Sequence, residues 1–310
     1  MALLNKFGTY HSQLIIAGLA SIAMIALYSG GQQLSLILLI IGVLAVGLPH
    51  GALDYIDLAT LAGGDKTRLA FYAGTYLLLA IVITCGWLVA PAPVFFALLA
   101  VAWLHFGTSD SEATDDPAFR IPEALLRGGM IIFGPLIYWR EEIATYFSYM
   151  SGQPSEAVLQ WLMTWLVPYL PGYWAATACC ILLFCIYPPM RKVAFEMAII
   201  AGVVILLPPL AAFATYFTLW HSWGHLRREI PELLANGMSL RRLAFTTAIV
   251  TIATILLFAP LILFTPPGWL ASLVPVIFIM LLALTPPHML LHLLISESAE
   301  RDGRDIGTIQ

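Results

Sequence analysis

Apolar residues run through this chain in long blocks. They show neither the alternation of half-buried strands nor the one-sided stripe of a soluble helix. The blocks fall near 13–29, 34–55, 69–89, 93–106, 121–139, 158–188, 193–207, 209–226, 243–264 and 269–295. Breaks rich in Gly, Pro and polar residues separate them, among them SGGQQ, APAP, YPPMRK and TPPGW. Most blocks approach the roughly 20 residues a helix needs to cross a bilayer. The pattern predicts an all-α, polytopic transmembrane bundle of eight to ten spans, forming a single integral-membrane domain over 1–310. The sixth block holds Pro168, Pro171 and Gly172, which predicts a short re-entrant piece before one span. Leu14 to Tyr28, preceded by Lys6, imitates a signal peptide but is expected to stay as the first span, since similar spans follow.

Composition sharpens this reading. Of 310 residues, 60% are hydrophobic and 10% charged, against about 25% charged in a soluble domain. A net charge of −4 without a basic stripe gives no sign of a nucleic-acid partner. Cys85, Cys179, Cys180 and Cys185 form no C-x-x-C pair and read as small hydrophobes within helices. With the N-terminus inside and every block crossing once, 12 of the 14 basic residues fall on one side. Only Arg140 lies outside, and Arg127 lies within a span. The positive-inside rule therefore predicts both termini cytoplasmic in the cell (inner) membrane.

The same arrangement sorts the histidines. His50, His105, His221, His225, His288 and His292 all fall at the inner ends of four different spans. The seventh, His11, sits near the cytoplasmic start of the first block and reads as interfacial. Ionisable groups at membrane depth are costly and mark sites or pathways. His221 and His225 are four apart, on one helix face with Cβ atoms about 6 Å apart, so both can reach one metal ion. His288 and His292 repeat the spacing. Asp54 follows His50 by four, Asp110 follows His105, and Glu229 follows His225 by four. Metal-bound imidazoles usually pass their other N–H to a carboxylate, so each acid is expected to steady the histidine it follows. Pro49 and Pro287 precede His50 and His288; a proline here bends the helix and turns the next imidazole inward.

An all-imidazole site suits iron, copper or zinc. H-E-x-x-H is absent, which excludes the usual zinc protease. The repeated clusters of a di-iron desaturase, with H-x-x-H-H, are absent too. A membrane haem- or metal-binding protein, an electron carrier or permease, stands as the alternative to an enzyme. The outer halves of the spans carry almost no ionisable groups, which argues against a through-pathway. Trp103, Phe106, Trp220, Trp223 and Met289 flank the histidines and are expected to wall an apolar tunnel. Tyr55 and Tyr216 are further candidates near the ion.

GLPHGALDY, HFGTSD, HSWGHLRRE and PPHMLLH, in this order on hydrophobic segments, resemble the Brp/Blh family of bacterial and archaeal membrane proteins. The resemblance runs from the second block to the last, and P-H-G-A-L-D is its most specific element. It implies a β-carotene 15,15'-dioxygenase that splits the central double bond with O2 into two all-trans-retinal. It also implies β-carotene drawn from the membrane lipid and a link to microbial rhodopsins. Residue by residue, it implies Fe(II) held by His50, His105, His221 and His225. The family's P-H-M-L-L histidine falls on His288, as a further polar contact, a substrate-side group or a structural hydrogen bond. No role carries onto His292.

Overall fold

The computed structural model describes residues 31–111 and 116–301, and among these there are helices and turns but no strand. The expected first block and His11 lie outside the described residues. In chain order the helices are α1 (Gly31–Leu61), α2 (Lys66–Val89), α3 (Pro91–Ser109), α4 (Pro117–Phe133) and α5 (Arg140–Ser151). They continue as α6 (Ser155–Trp165), α7 (Leu170–Ile186), α8 (Arg191–Leu206), α9 (209–235), α10 (Leu240–Phe258) and α11 (Trp269–Arg301).

The ends are written in the sequence. Asp65 takes the backbone N–H groups of Thr67 and Arg68 at 2.8 and 3.2 Å to start α2, and Asp116 takes that of Ala118 at 2.9 Å to start α4. Proline opens α3, α4 and α9, where its missing N–H costs nothing. Gly152, at φ +67°, closes α5 in a left-handed turn that a side chain would disfavour.

Among the described residues, six stretches are long and apolar enough to cross a membrane: Gly31–Leu61, Lys66–Val89, Pro91–Ser109, Ser155–Ile186, Leu240–Phe264 and Leu270–Ile295. The blocks expected at 121–139, 193–207 and 209–226 are also helical, but are shorter or more polar. The sixth block divides at Val167–Tyr169 into α6 and α7, where Pro168 interrupts the ladder. α2 and α10 bury little of themselves and present Phe71, Leu78, Phe245 and Leu256 outward. In lipid such a face is at home, since hydrocarbon is as apolar as the side chains.

Two contacts set the interior. α1 widens into a π-turn at Val43–Gly47 and α9 into another at Tyr216–Ser222, and these two turns pack on each other. A Cβ on Gly42 would strike Thr218, and one on Gly47 would strike Phe217. π-turns break the i→i−4 ladder and re-aim the side chains that follow. Here the first is followed directly by Pro49 and His50, and the second contains His221. α3 and α4 approach as closely at Gly107 and Gly128, where backbone meets backbone. That contact sits two residues from His105.

Candidate metal centre

Four helices deliver five imidazoles to one place: His50 on α1, His105 on α3, His221 and His225 on α9, and His288 on α11. All are buried. Ring centres lie 5.3 Å apart for His50 and His221, 4.7 Å for His50 and His225, and 4.9 Å for His221 and His225. His105 lies 4.9 Å from His221 and 5.1 Å from His288, and His50 lies 5.4 Å from His288. Phe106 meets His221 edge-on at 4.9 Å and Phe217 stacks on it at 5.7 Å, so the ring has little freedom to turn.

These spacings suit a shared ion. A metal–nitrogen bond of about 2.1 Å puts an imidazole centre about 3.3 Å from the metal, so rings at neighbouring coordination positions have centres roughly 4.5–5.5 Å apart. His50 Nδ1 and His225 Nε2 are buried with no hydrogen-bond partner. Such orphaned nitrogens are uncommon in a folded interior. Among the described residues, three sets bring possible ligand atoms within 4.8 Å of one another: His50 with His225 and Glu229, Asp110 with His221 and His225, and, separately, Asp54 with His288 and His292. The donor set is dominated by imidazole and fits iron, copper or zinc.

Carboxylates back the rings, but two of the three support a different histidine from the one each follows in sequence. Asp110 pairs with His221 Nδ1 at 2.9 Å, and Tyr216 donates its hydroxyl to the other carboxylate oxygen at 2.5 Å. Asp54 pairs with His288 Nδ1 at 2.8 Å and accepts the Tyr76 hydroxyl at 2.6 Å. Neither acid steadies the histidine that precedes it. α1 breaks its helical turn at Ala52 and Leu53, which rotates Asp54 off the face of His50. Asp110 caps the end of α3 and points across to α9. Glu229 does stand beside its own His225, at 3.5 Å. A carboxylate that accepts from Nδ1–H leaves Nε2 with its lone pair free, as a ligand requires.

Charge separates two of these acids. Burial pushes Asp110 up, but the His221 imidazole and the Tyr216 hydroxyl outweigh it and hold the group at about 2. Glu229 lies past the apolar part of α9. Burial, then the nearby Asp57 and Asp54 carboxylates, push it up to about 8. Asp110 is therefore an anionic acceptor at neutral pH, while Glu229 keeps its proton.

His50, His105, His221 and His288 face a cavity of about 390 Å³ whose remaining lining is mostly aliphatic and aromatic. One flank is made by Phe95, Ile132, Phe147 and Met150, another by Ile249 and Leu257 of lipid-facing α10. Of the five residues expected to wall a tunnel, Phe106 lines this cavity. Trp103 turns toward α4, donating its indole N–H to the Leu125 carbonyl at 2.8 Å, and Trp223 faces outward. Trp220 and Met289 are not in the lining. Hydropathy places these residues at the right depth, but the rotation of each helix decides where they point. Tyr55 lines the cavity, whereas Tyr216 serves Asp110. Tyr76 has no local signal in the sequence, being 22 residues from the carboxylate it supports. His292 lies behind His288 at 4.4 Å, partly exposed.

The family model described as Beta-carotene 15,15'-dioxygenase matches residues 41–295. A beta-carotene 15,15'-dioxygenase from uncultured marine bacterium 66A03 is 30% identical over 260 residues, covering 80% of this chain and 90% of the relative. A probable beta-carotene 15,15'-dioxygenase Blh from Halobacterium salinarum is 26% identical over 296 residues, covering 81% of each. No solved structure matches.

Proposed function

Because the chain belongs to the beta-carotene 15,15'-dioxygenase family, we propose that it cleaves the central 15,15' double bond of β-carotene with O2. Two all-trans-retinal result, and His50, His105, His221 and His225 hold a non-haem Fe(II). The observation that carries this reading is a cluster of buried imidazoles, two with orphaned nitrogens, on the wall of an apolar cavity between lipid-facing helices. Iron bound there would supply the activation of O2 that the polyene cannot provide.

The chain's own contribution is positioning and exclusion. The cavity wall is mostly hydrocarbon, with the imidazoles, Asp54 and a few tyrosines and threonines as its polar points. A polyene therefore gains by leaving lipid only if its length lies along the apolar wall and its middle passes the histidines. Phe106 and Phe217 fix the His221 ring, and Asp110 fixes its tautomer. The apolar lining also keeps water from a reactive centre. Both β-carotene and O2 reach it through the bilayer, past α10, with the termini on the cytoplasmic face of the cell membrane. The retinal formed would serve a microbial rhodopsin. The touching rings leave no space between them for a porphyrin, which weighs against the haem-carrier reading.

Expression in β-carotene-accumulating cells tests the proposal. Bleaching with retinal as product supports it, and His221→Ala, inserted at wild-type level, is expected to leave the cells coloured. Unchanged carotenoid with the wild-type chain correctly inserted would refute it.

A further inference from the structure

Resting on that reading, we infer that His288 is a fifth imidazole ligand of the metal, held in place by Asp54 and Tyr76. His50, His221, His105 and His288 form a closed ring, each touching the next at 5.3, 4.9, 5.1 and 5.4 Å in that order. Without His288 the set is open. His105 then touches only His221 among the proposed ligands, and nothing closes the side between His105 and His50. The contacts of His288 with the ring, 5.1 and 5.4 Å, come within 0.1 Å of the 4.7–5.3 Å range among the other four.

The cavity separates the ring from the remaining ligand. All four ring members line it, and His225 does not. His225 packs against His50 and His221. With His288 among them, five imidazoles would leave a six-coordinate ion one further position. Four imidazoles alone would leave two positions open.

The support of His288 resembles that of His221: a buried aspartate meets Nδ1 and a tyrosine hydroxyl donates to that aspartate. In one arm Tyr216 donates to one oxygen of Asp110, whose other oxygen meets His221 Nδ1. In the other, Tyr76 donates to one oxygen of Asp54, and His288 Nδ1 meets both oxygens, at 2.8 and 2.9 Å. The two arms come from different helices, and both occupy Nδ1 and so leave Nε2 for a ligand role. Histidines that bind metal are oriented this way. His292 lacks these features: it touches His288 alone among the imidazoles and reaches Asp54 only at 3.9 Å. The competing account is an ion pair between His288 and Asp54 that only ties α11 to α1.

Full-length protein in lipid nanodiscs, stripped with chelator and titrated with Co(II), separates the two. The titration gives affinity, and the intensity of the visible cobalt bands gives the number of ligands. His288→Ala is expected to weaken Co(II) binding about tenfold or more and to strengthen the bands as coordination falls. Asp54→Asn is expected to weaken binding about 10–100-fold, the usual cost of removing the group that orients a ligand, with the band intensity kept. His288→Ala that binds Co(II) within about twofold of wild type, with the same bands, overturns the inference. If that variant fails to insert, Asp54→Asn decides, and a loss under about threefold overturns it. A wild-type chain that takes up no Co(II) and makes no retinal would instead defeat the metal centre as a whole. Normal wild-type uptake beside an indifferent His288→Ala defeats only the fifth ligand.

Discussion

Arg127, Glu123 and Glu196 are as deeply buried as the five imidazoles, yet the two clusters are built to opposite ends. Arg127 on α4 meets Glu123 at 2.8 Å one turn back and Glu196 on α8 at 3.5 Å, while Lys192 approaches Glu196 at 3.6 Å. Two cations face two carboxylates, and none of the four lines the cavity at the imidazoles. Buried nitrogens without a hydrogen-bond partner occur in both clusters, Arg127 Nε in the first and His50 Nδ1 and His225 Nε2 in the second. It is the imidazoles, with no carboxylate paired to every ring, that line a void. A buried polar group in a membrane bundle is thus not a site by virtue of burial. The first cluster closes on itself and ties helices together, and the second keeps its lone pairs for a guest.

The largest effect that can break this contrast is Arg127→Met. Removing the cation leaves two buried carboxylates facing each other, a loss of about 3–5 kcal/mol in stability. Unfolding of the purified protein in detergent reads it directly. His221→Ala should cost about 1–2 kcal/mol by the same measurement, within the range of ordinary core substitutions, while ending retinal formation. Were Arg127→Met as stable as wild type but inactive, the ion cluster would belong to the chemistry and the contrast would fail.

The two clusters meet at one helix crossing, so a single residue can disturb both. Gly128 follows Arg127, and a Cβ there would strike the Trp103 carbonyl and the backbone of Gly107, two residues beyond His105. Neither obstacle is a side-chain tip that could swing away. Gly128→Ala should therefore force α3 from α4 at a cost of about 1–3 kcal/mol. It should also lower retinal output beyond what the lost folded protein explains, because His105 moves with α3. A fall in stability with activity per folded molecule unchanged would show that the crossing serves the ion cluster alone.

Within the imidazole cluster, Asp110→Asn removes charge while keeping shape. A metal affinity lowered about 10–100-fold is expected, with the unfolding temperature nearly unchanged. Titration of the chelator-stripped protein with Co(II) measures it. Unaltered affinity would leave Asp110 as helix packing rather than support for His221.

How much of this could be read beforehand depended on whether a property follows one helix or two. That His50, His105, His221, His225 and His288 share one level of the bundle was legible, because the apolar blocks set where along its helix each residue sits. Their meeting follows from that shared level once the helices bundle. The partners of Asp54 and Asp110 were not legible. They depend on the rotation of α1 at Ala52 and on where α3 ends, and the spacing of acids behind histidines suggested the wrong pairs. Trp103 and Trp223 failed as cavity walls for the same reason, lying at the right depth on the wrong faces. Arg127 announced itself as a charge within an apolar block, but Glu196 lies 69 residues away, and no local pattern joins them.

Tyr216→Phe makes the smallest change and asks the finest question. The hydroxyl donates to the Asp110 oxygen that does not hold His221. Losing it deprives a buried carboxylate of one donor, about 1.5–3 kcal/mol in a site that cannot admit water and less where water enters. His221 keeps its own bond to Asp110, so the ring should stay oriented while the carboxylate becomes freer to rotate. Metal affinity should fall by only a few-fold, well short of Asp110→Asn, which acts on the bond to His221 itself. If both substitutions weakened cobalt binding equally, the tyrosine and aspartate would act as one unit, and the support of His221 would rest on the whole arm rather than on the carboxylate. If Tyr216→Phe had no effect on binding but lowered stability, the hydroxyl would belong with Arg127 among the groups that hold helices together.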